Sequence, residues 1–179
     1  MQADLIIPPI LVGLLVLLIL RINVFILETS VESRLHTELQ SRSSVALELI
    51  QEQVRDLDSF LAEPDTLLQF RTASGDHVAI ERAERNLQII RHPFNPITNS
   101  HGAPDTTSHP MSLSDLRFLA QPDTIDFNFA PFLRISLETE SRPDQHIDPD
   151  AHTPLKRSRV QTDLLLRHRA ATNPDQIPL

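Results

Sequence analysis

The chain has 179 residues, a net charge of −8 and 22% charged residues. That suits one modest domain plus an appendage, and argues against nucleic acid as its main partner. The absence of cysteine excludes disulfides and thiolate chemistry, the absence of Trp and Tyr argues for a structural role over an enzyme pocket or peptide groove, and 3 glycines leave little for a backbone cradle for phosphate.

The first element is an apolar run. Leu5 to Leu20 carries no polar side chain, Arg21 and Asn23 interrupt, and apolar residues resume to Leu27. This length spans a bilayer with some tilt, so residues 1–27 are expected to form a transmembrane helix anchored by Leu11, Leu14, Leu15, Leu17, Leu18 and Leu20. Arg21 sits where its stem can snorkel to head groups. Pro8 and Pro9 fall in the first turns, where proline costs least. A cleaved secretory signal fits poorly, because no basic residue precedes the run and no small-residue cleavage site follows it. The nearby basic residues Arg21, Arg34 and Arg42 lie C-terminal to the run, which read literally places the C-terminal side in the cytoplasm.

No glycine or proline occurs between Gly13 and Pro64, and the stretch is rich in Leu, Glu, Gln, Arg and Ala. Apolar residues recur in steps of mostly three and four at Val31, Leu35, Leu39, Ala46, Ile50, Val54, Leu57 and Leu61. The pattern predicts that residues 28–63 continue the same helix in amphipathic form, from about Ile10 to Leu61, roughly 75 Å of rod. A separate juxtamembrane coiled coil is the plainer alternative.

Beyond Pro64 the period changes to alternation. Leu67 to Thr72, Val78 to Arg82 and Leu87 to Arg91 read as strands, with turns at Ser74-Gly75-Asp76 and Glu84-Arg85-Asn86. Residues 93–111 read as a loop. Leu113, Leu116 and Phe118 follow; Ile125, Phe127 and Phe129 alternate, as do Leu133, Ile135 and Leu137, and finally Val160, Thr162, Leu164 and Leu166. Residues 142–155 read as a second loop and 172–179 as a frayed tail. The expected fold is therefore α+β: a long N-terminal helix, half transmembrane and half amphipathic, packed through Val45 to Leu61 on a small antiparallel sheet of about four to six strands within residues 64–171.

Several phrases carry a resemblance. "SSVALELIQEQVRDLD" resembles a helix entering a globular domain, "AERNLQIIRH" a turn leading into a strand, and "LSDLRF", "FLRISLETES" and "VQTDLLLRHRA" the closing strands, in order, of pseudopilin-like domains. Together with the architecture they make the chain similar to the type IV pilin superfamily, above all minor pilins and type II secretion pseudopilins. The family's cleavage motif of basic leader, glycine and fifth-position glutamate is not found. The resemblance implies a non-enzymatic subunit, single-pass in a bacterial inner membrane with its C-terminal domain extracytoplasmic. Its partners would be membrane lipid, other pilin-like subunits or copies of itself, and the assembly platform of a secretion or pilus machine, with no cofactor. It also implies an assembly role for Asp4, one position off that glutamate, where it could neutralise a neighbour's terminal amine. A single-pass scaffold or adaptor that does not polymerise is the alternative reading.

Some local patterns invite chemistry. Asp144, His146, Asp148, Asp150 and His152 alternate, and in an extended loop they would share one face with ligands suited to a divalent metal, giving a metal-binding sensor as a third reading. The plainer reading is an acidic loop. His92, His101 and His109 flank the first loop and could form a three-histidine site, or simply be solvated. Ser112, Ser114 and Asp115 lack a nucleophile-elbow or oxyanion pattern and read as a turn or cap. No catalytic residue is assigned. Lys156, Arg157 and Arg159 form a basic cluster of the kind that protects a strand edge.

Overall fold

The structure, a computed structural model, describes residues 3–122, 125–142 and 155–166, with side chains from residue 10 onward except that of Asn128. It is α+β, as the patterning predicts: one long helix packed with antiparallel sheets. Helix α1 runs unbroken over Ala3–Val54, 52 residues. At 1.5 Å per residue it is roughly 78 Å long.

The helix stops earlier than its apolar spacing suggests. Leu57–Phe60 is strand β1, not a last helical turn. The steps Val54, Leu57 and Leu61 satisfy a helical period, but Leu57 and Phe60 are buried as strand residues while Leu61 is exposed. Strand pairing supplies what the helix loses there: Leu57 and Phe60 lie opposite Thr72 and Phe70 of β2, Leu67–Thr72. Pro64 lies beyond β1, outside the helix.

Two sheets replace the single one expected. The larger has five strands in the order β1-β2-β3-β4-β7, with β3 His77–Ala83, β4 Asn86–His92 and β7 Asp105–His109. Strands β2, β3 and β4 follow the sequence reading closely. The two-residue turn between Ala83 and Asn86 places Glu84 at φ 56, a left-handed conformation that costs a non-glycine residue about 1 kcal/mol. The region read as the loop 93–111 instead holds β7 and a small ribbon, β5 Phe94–Asn95 with β6 Ser100–His101. Short polar strands carry no apolar alternation, so composition alone reads them as loop.

The smaller sheet has three strands, β10-β9-β8, over Arg157–Leu165, Phe132–Glu140 and Leu113–Gln121. A bulge between Leu113 and Asp115 opens β8. Ile125, Phe127 and Phe129 do not form the expected strand; Phe127–Phe129 is a 3-10 turn. Phe127 packs toward Phe60, ring centroids 6.3 Å apart, while Ile125 and Phe129 are exposed.

Helix α1 lies against β9 and β10. Its buried stripe is Leu35, Leu39, Ser43, Ala46, Ile50 and Val54, every third or fourth residue, so one face of the helix meets the sheet. Val45, expected to start the covering stripe, is 44% exposed; the stripe passes through Ala46 instead. One continuous core joins Ala46, Ile50 and Val54 to Phe70, Ile80 and Leu87 of the large sheet and to Phe118, Ile135 and Leu137 of the small one.

Candidate functional site

The first half of α1 is the most unusual surface of the molecule. Leu11, Leu14, Leu15, Leu17, Leu18 and Leu20 are all exposed, as are Ile22, Val24, Phe25, Ile26 and Leu27. Nothing in the described chain covers them, and their window has a mean hydropathy of 2.9 and is 0% buried. Water does not tolerate a continuous apolar surface on this scale around a helix; lipid or other helices do. The helix is long and apolar enough to cross a membrane. Asp4 lies in its first turns, but its side chain lies outside the described residues.

The second half is fastened to the domain by polar as well as apolar contacts. Ser43 Oγ donates to the Leu39 carbonyl at 2.9 Å, and Thr139 Oγ1 lies 2.9 Å from Ser43 Oγ and 3.2 Å from the same carbonyl. Ser43 and Thr139 are both fully buried. A buried hydroxyl without a partner costs free energy, so this seam fixes the rotation and register of α1 on β9. Arg42 pairs with Glu38 on the helix and donates to Ser112 Oγ in the turn before β8. Lys156 Nζ reaches Glu32 Oε1 at 3.1 Å, tying the start of β10 to the helix just past the apolar half. On the other side of the small sheet Arg85, at the β3–β4 turn, donates to the carbonyls of Glu140 and Ser141, while Leu113 N–H donates to the Arg85 carbonyl at 2.8 Å. The seam residues have no sequence signature. Ser43 and Thr139 are 96 positions apart, and each reads alone as a surface hydroxyl.

The histidines group differently from the expectation. His101 stacks on His77, ring centroids 3.7 Å apart, and His92 is the cross-strand partner of His77. His109 lies opposite Leu87, at the other end of β4. The three-histidine set His92, His101 and His109 is therefore not assembled. Among the described residues no group of three or more His, Asp or Glu is placed to hold a metal ion. Partial burial lowers the His77 pKa below its ordinary value of 6.5, helped by the positive charge of His101, Arg71 and His92. This cluster seats the ribbon: Phe94 N–H donates to Asp76 Oδ1 at 2.8 Å, and the Phe94 ring lies against Gly75, which has φ +93. A Cβ at Gly75 would come within 2.8 Å of that ring, so glycine serves both the turn and the close approach.

The remaining candidates resolve simply. His146, Asp148, Asp150 and His152, with Asp144, lie outside the described residues. Ser112 adopts φ 55 at the turn into β8, and Ser114 bonds Glu138; neither is set beside a histidine base. In the basic cluster Lys156 pairs with Glu32 and Arg157 with Glu138 and Glu140, while Arg159 donates to the neutral Ser136 Oγ, so two of its three charges are met by carboxylates within the fold. An open groove of about 420 Å³ lies where α1 ends, lined by Gln51, Val54, Arg55, Leu57 and Leu164 to Leu166, and holds no pair of catalytic groups.

No family model, characterised protein or solved structure matches the chain. The geometry is thus the whole basis for a functional reading.

Proposed function

We propose that the chain is a non-enzymatic, membrane-anchored, pilin-like subunit of a filament or of a secretion or uptake machine. The observation that carries this reading is one uninterrupted helix with two environments: bare and apolar in its first half, buried against a sheet in its second. A rod without a hinge passes displacement of the anchored end directly to the domain, which suits a part that is extruded or packed as a unit. The apolar half first sits in lipid, of a bacterial inner membrane in this reading, and then packs against neighbouring copies or other pilin-like subunits delivered by an assembly platform. Asp4 is the assembly residue and the leucines from Leu11 to Leu20 are the anchor.

The test is self-association in membranes. The full chain, expressed in a bacterial inner membrane and extracted in mild detergent, is expected to run as multiples of the subunit. Asp4→Ala should leave it membrane-bound but reduce it to single copies. A chain that is membrane-bound yet always monomeric, with or without Asp4, overturns the assembly reading in favour of a single-pass scaffold or adaptor.

A further inference from the structure

One row on the outer face of the large sheet carries a single sign of charge. Arg71 on β2 lies directly opposite His77 on β3, and His77 directly opposite His92 on β4. Residues opposite one another share a face, so the three side chains stand side by side. Their face is the one turned from the core, since the alternate residues Phe70, Val78 and Ile89 are buried. His101 on β6 lies over the row, its ring on that of His77 with centroids 3.7 Å apart. Each of these strands thus brings one basic side chain to one spot, on a chain whose net charge is −8.

No carboxylate balances this row among the described residues. Asp76, in the adjoining turn, accepts from the Phe94 N–H at 2.8 Å and lies 3.9 Å from Arg91 Nε. On the β1 side Ser59 stands opposite Arg71, with Asp58 in the bulge beside it, and among the described residues no ion pair joins Arg71 to Asp58 or to another acid. The next row of the face, Gln69, Ala79, Ile90 and Thr106, is uncharged, and Glu81 stands in the row beyond it. The charged groups that act on His77 are His101, Arg71 and His92, and with partial burial they hold its pKa below the ordinary 6.5. With neutral histidines the row carries only the charge of Arg71. Each proton added to it meets like charges directly opposite, which repel.

We propose that Arg71, His77, His92 and His101 bind a phosphate group carried by a soluble molecule, most tightly when the histidines are protonated. A bound anion removes the repulsion within the row, so protonation and binding favour one another. A metal ion fits less well. The His77 and His101 rings lie one over the other, 31° from parallel, so their nitrogens do not converge, and among the described residues no group of three is placed to hold a metal. The spacing favours a tetrahedral anion. Neighbouring strands are about 4.8 Å apart, which sets Arg71 and His92 about 10 Å apart across His77. An acceptor between them must offer oxygens in several directions. A phosphate does so, whereas a planar carboxylate is filled by the arginine fork alone. The place along the rod favours a soluble source. Ala73 N–H donates to the Asp56 carbonyl just past the end of α1 at 3.0 Å. That point is roughly 40 Å along the helix direction from Leu27, so lipid phosphates around the apolar half are out of reach.

The test uses the full chain in a neutral detergent, inorganic phosphate as the probe and the histidine ring resonances as the readout. At about pH 6, within the range where histidine takes up its proton, phosphate should move the His77 and His92 signals saturably, and chloride at equal ionic strength should not. Arg71 is exposed, so Arg71→Gln should keep the fold, which the amide spectrum checks, while weakening phosphate binding about tenfold. Sulfate has the same shape and keeps its full charge across this range. It should bind about tenfold more weakly at about pH 8 than at about pH 6, which assigns the dependence to the histidines. Signals that chloride moves equally, affinity unchanged in a folded Arg71→Gln chain, or sulfate binding alike at both pH values would each overturn the proposal.

Discussion

The two halves of α1 share one backbone ladder and nearly the same aliphatic residues, yet they are opposite surfaces. From Ile10 to Leu27 every large apolar side chain is exposed; from Leu35 to Val54 every third or fourth residue is buried, Leu47 and Leu49 flank that stripe, and most of the other side chains are polar. The comparison teaches that helix formation here is local, whereas environment is assigned by pattern. An all-round apolar surface can be satisfied only from outside the chain, and a stripe only by a matching sheet face.

The largest effect should come from charging the bare half. Leu14→Lys with Leu18→Lys is expected to release the chain from membranes, at about 2.5–3.5 kcal/mol per charge near a bilayer centre. Fractionation checks this, and circular dichroism of the released chain should still report a folded domain. If membrane retention is unchanged, the two halves do not differ as argued. Next, Ile50→Ala removes a fully buried side chain and should cost about 2–5 kcal/mol. Val45→Ala, on the exposed side of the same turns, should change stability by less than about 0.5 kcal/mol. Thermal unfolding in detergent compares the pair, and equal costs would mean the stripe is misplaced.

Smaller again is the polar seam. Thr139→Val should cost about 1 kcal/mol, because Ser43 keeps its bond to the Leu39 carbonyl and loses only its second partner. A double-mutant cycle with Ser43→Ala should show coupling between the two sites, and additive costs would remove the seam from the account of register. The smallest effect is a pH response in the ribbon. The His77 pKa lies below 6.5, so the unfolded or undocked state binds more protons in the window below that value. The stability contributed by neutral His77 is present above pH 6.5 and is lost as pH falls through the window. The protection of the Phe94 amide, taken relative to its intrinsic exchange rate at each pH, should fall on acidification, and His77→Gln should flatten that dependence.

Much of the fold was legible because it rests on short-range pattern. The long helix follows from 50 residues without glycine or proline, and β2, β3, β4, β9 and β10 follow from alternation that matches their burial. The apolar run was equally visible, since it needs no partner to be recognised. The end of α1 was not, because Leu57 and Phe60 stand a helical step of three apart, and only the register shift in the β1–β2 pairing lets both be buried as strand residues. Ile125 and Phe129 were misread as one face of a strand; the 3-10 turn sends Phe127 inward and leaves the other two outside.

The sequence alone determined a continuous rod, apolar all round and then along one stripe, followed by alternating strands, because those properties depend on neighbours three or four positions away at most. Only the tertiary structure decided that the strands divide into a five-stranded sheet, a three-stranded sheet and a two-stranded ribbon, that Ser43 finds Thr139 and that His101 finds His77. Those outcomes join residues up to about a hundred positions apart, and no local periodicity encodes which of many similar side chains will meet.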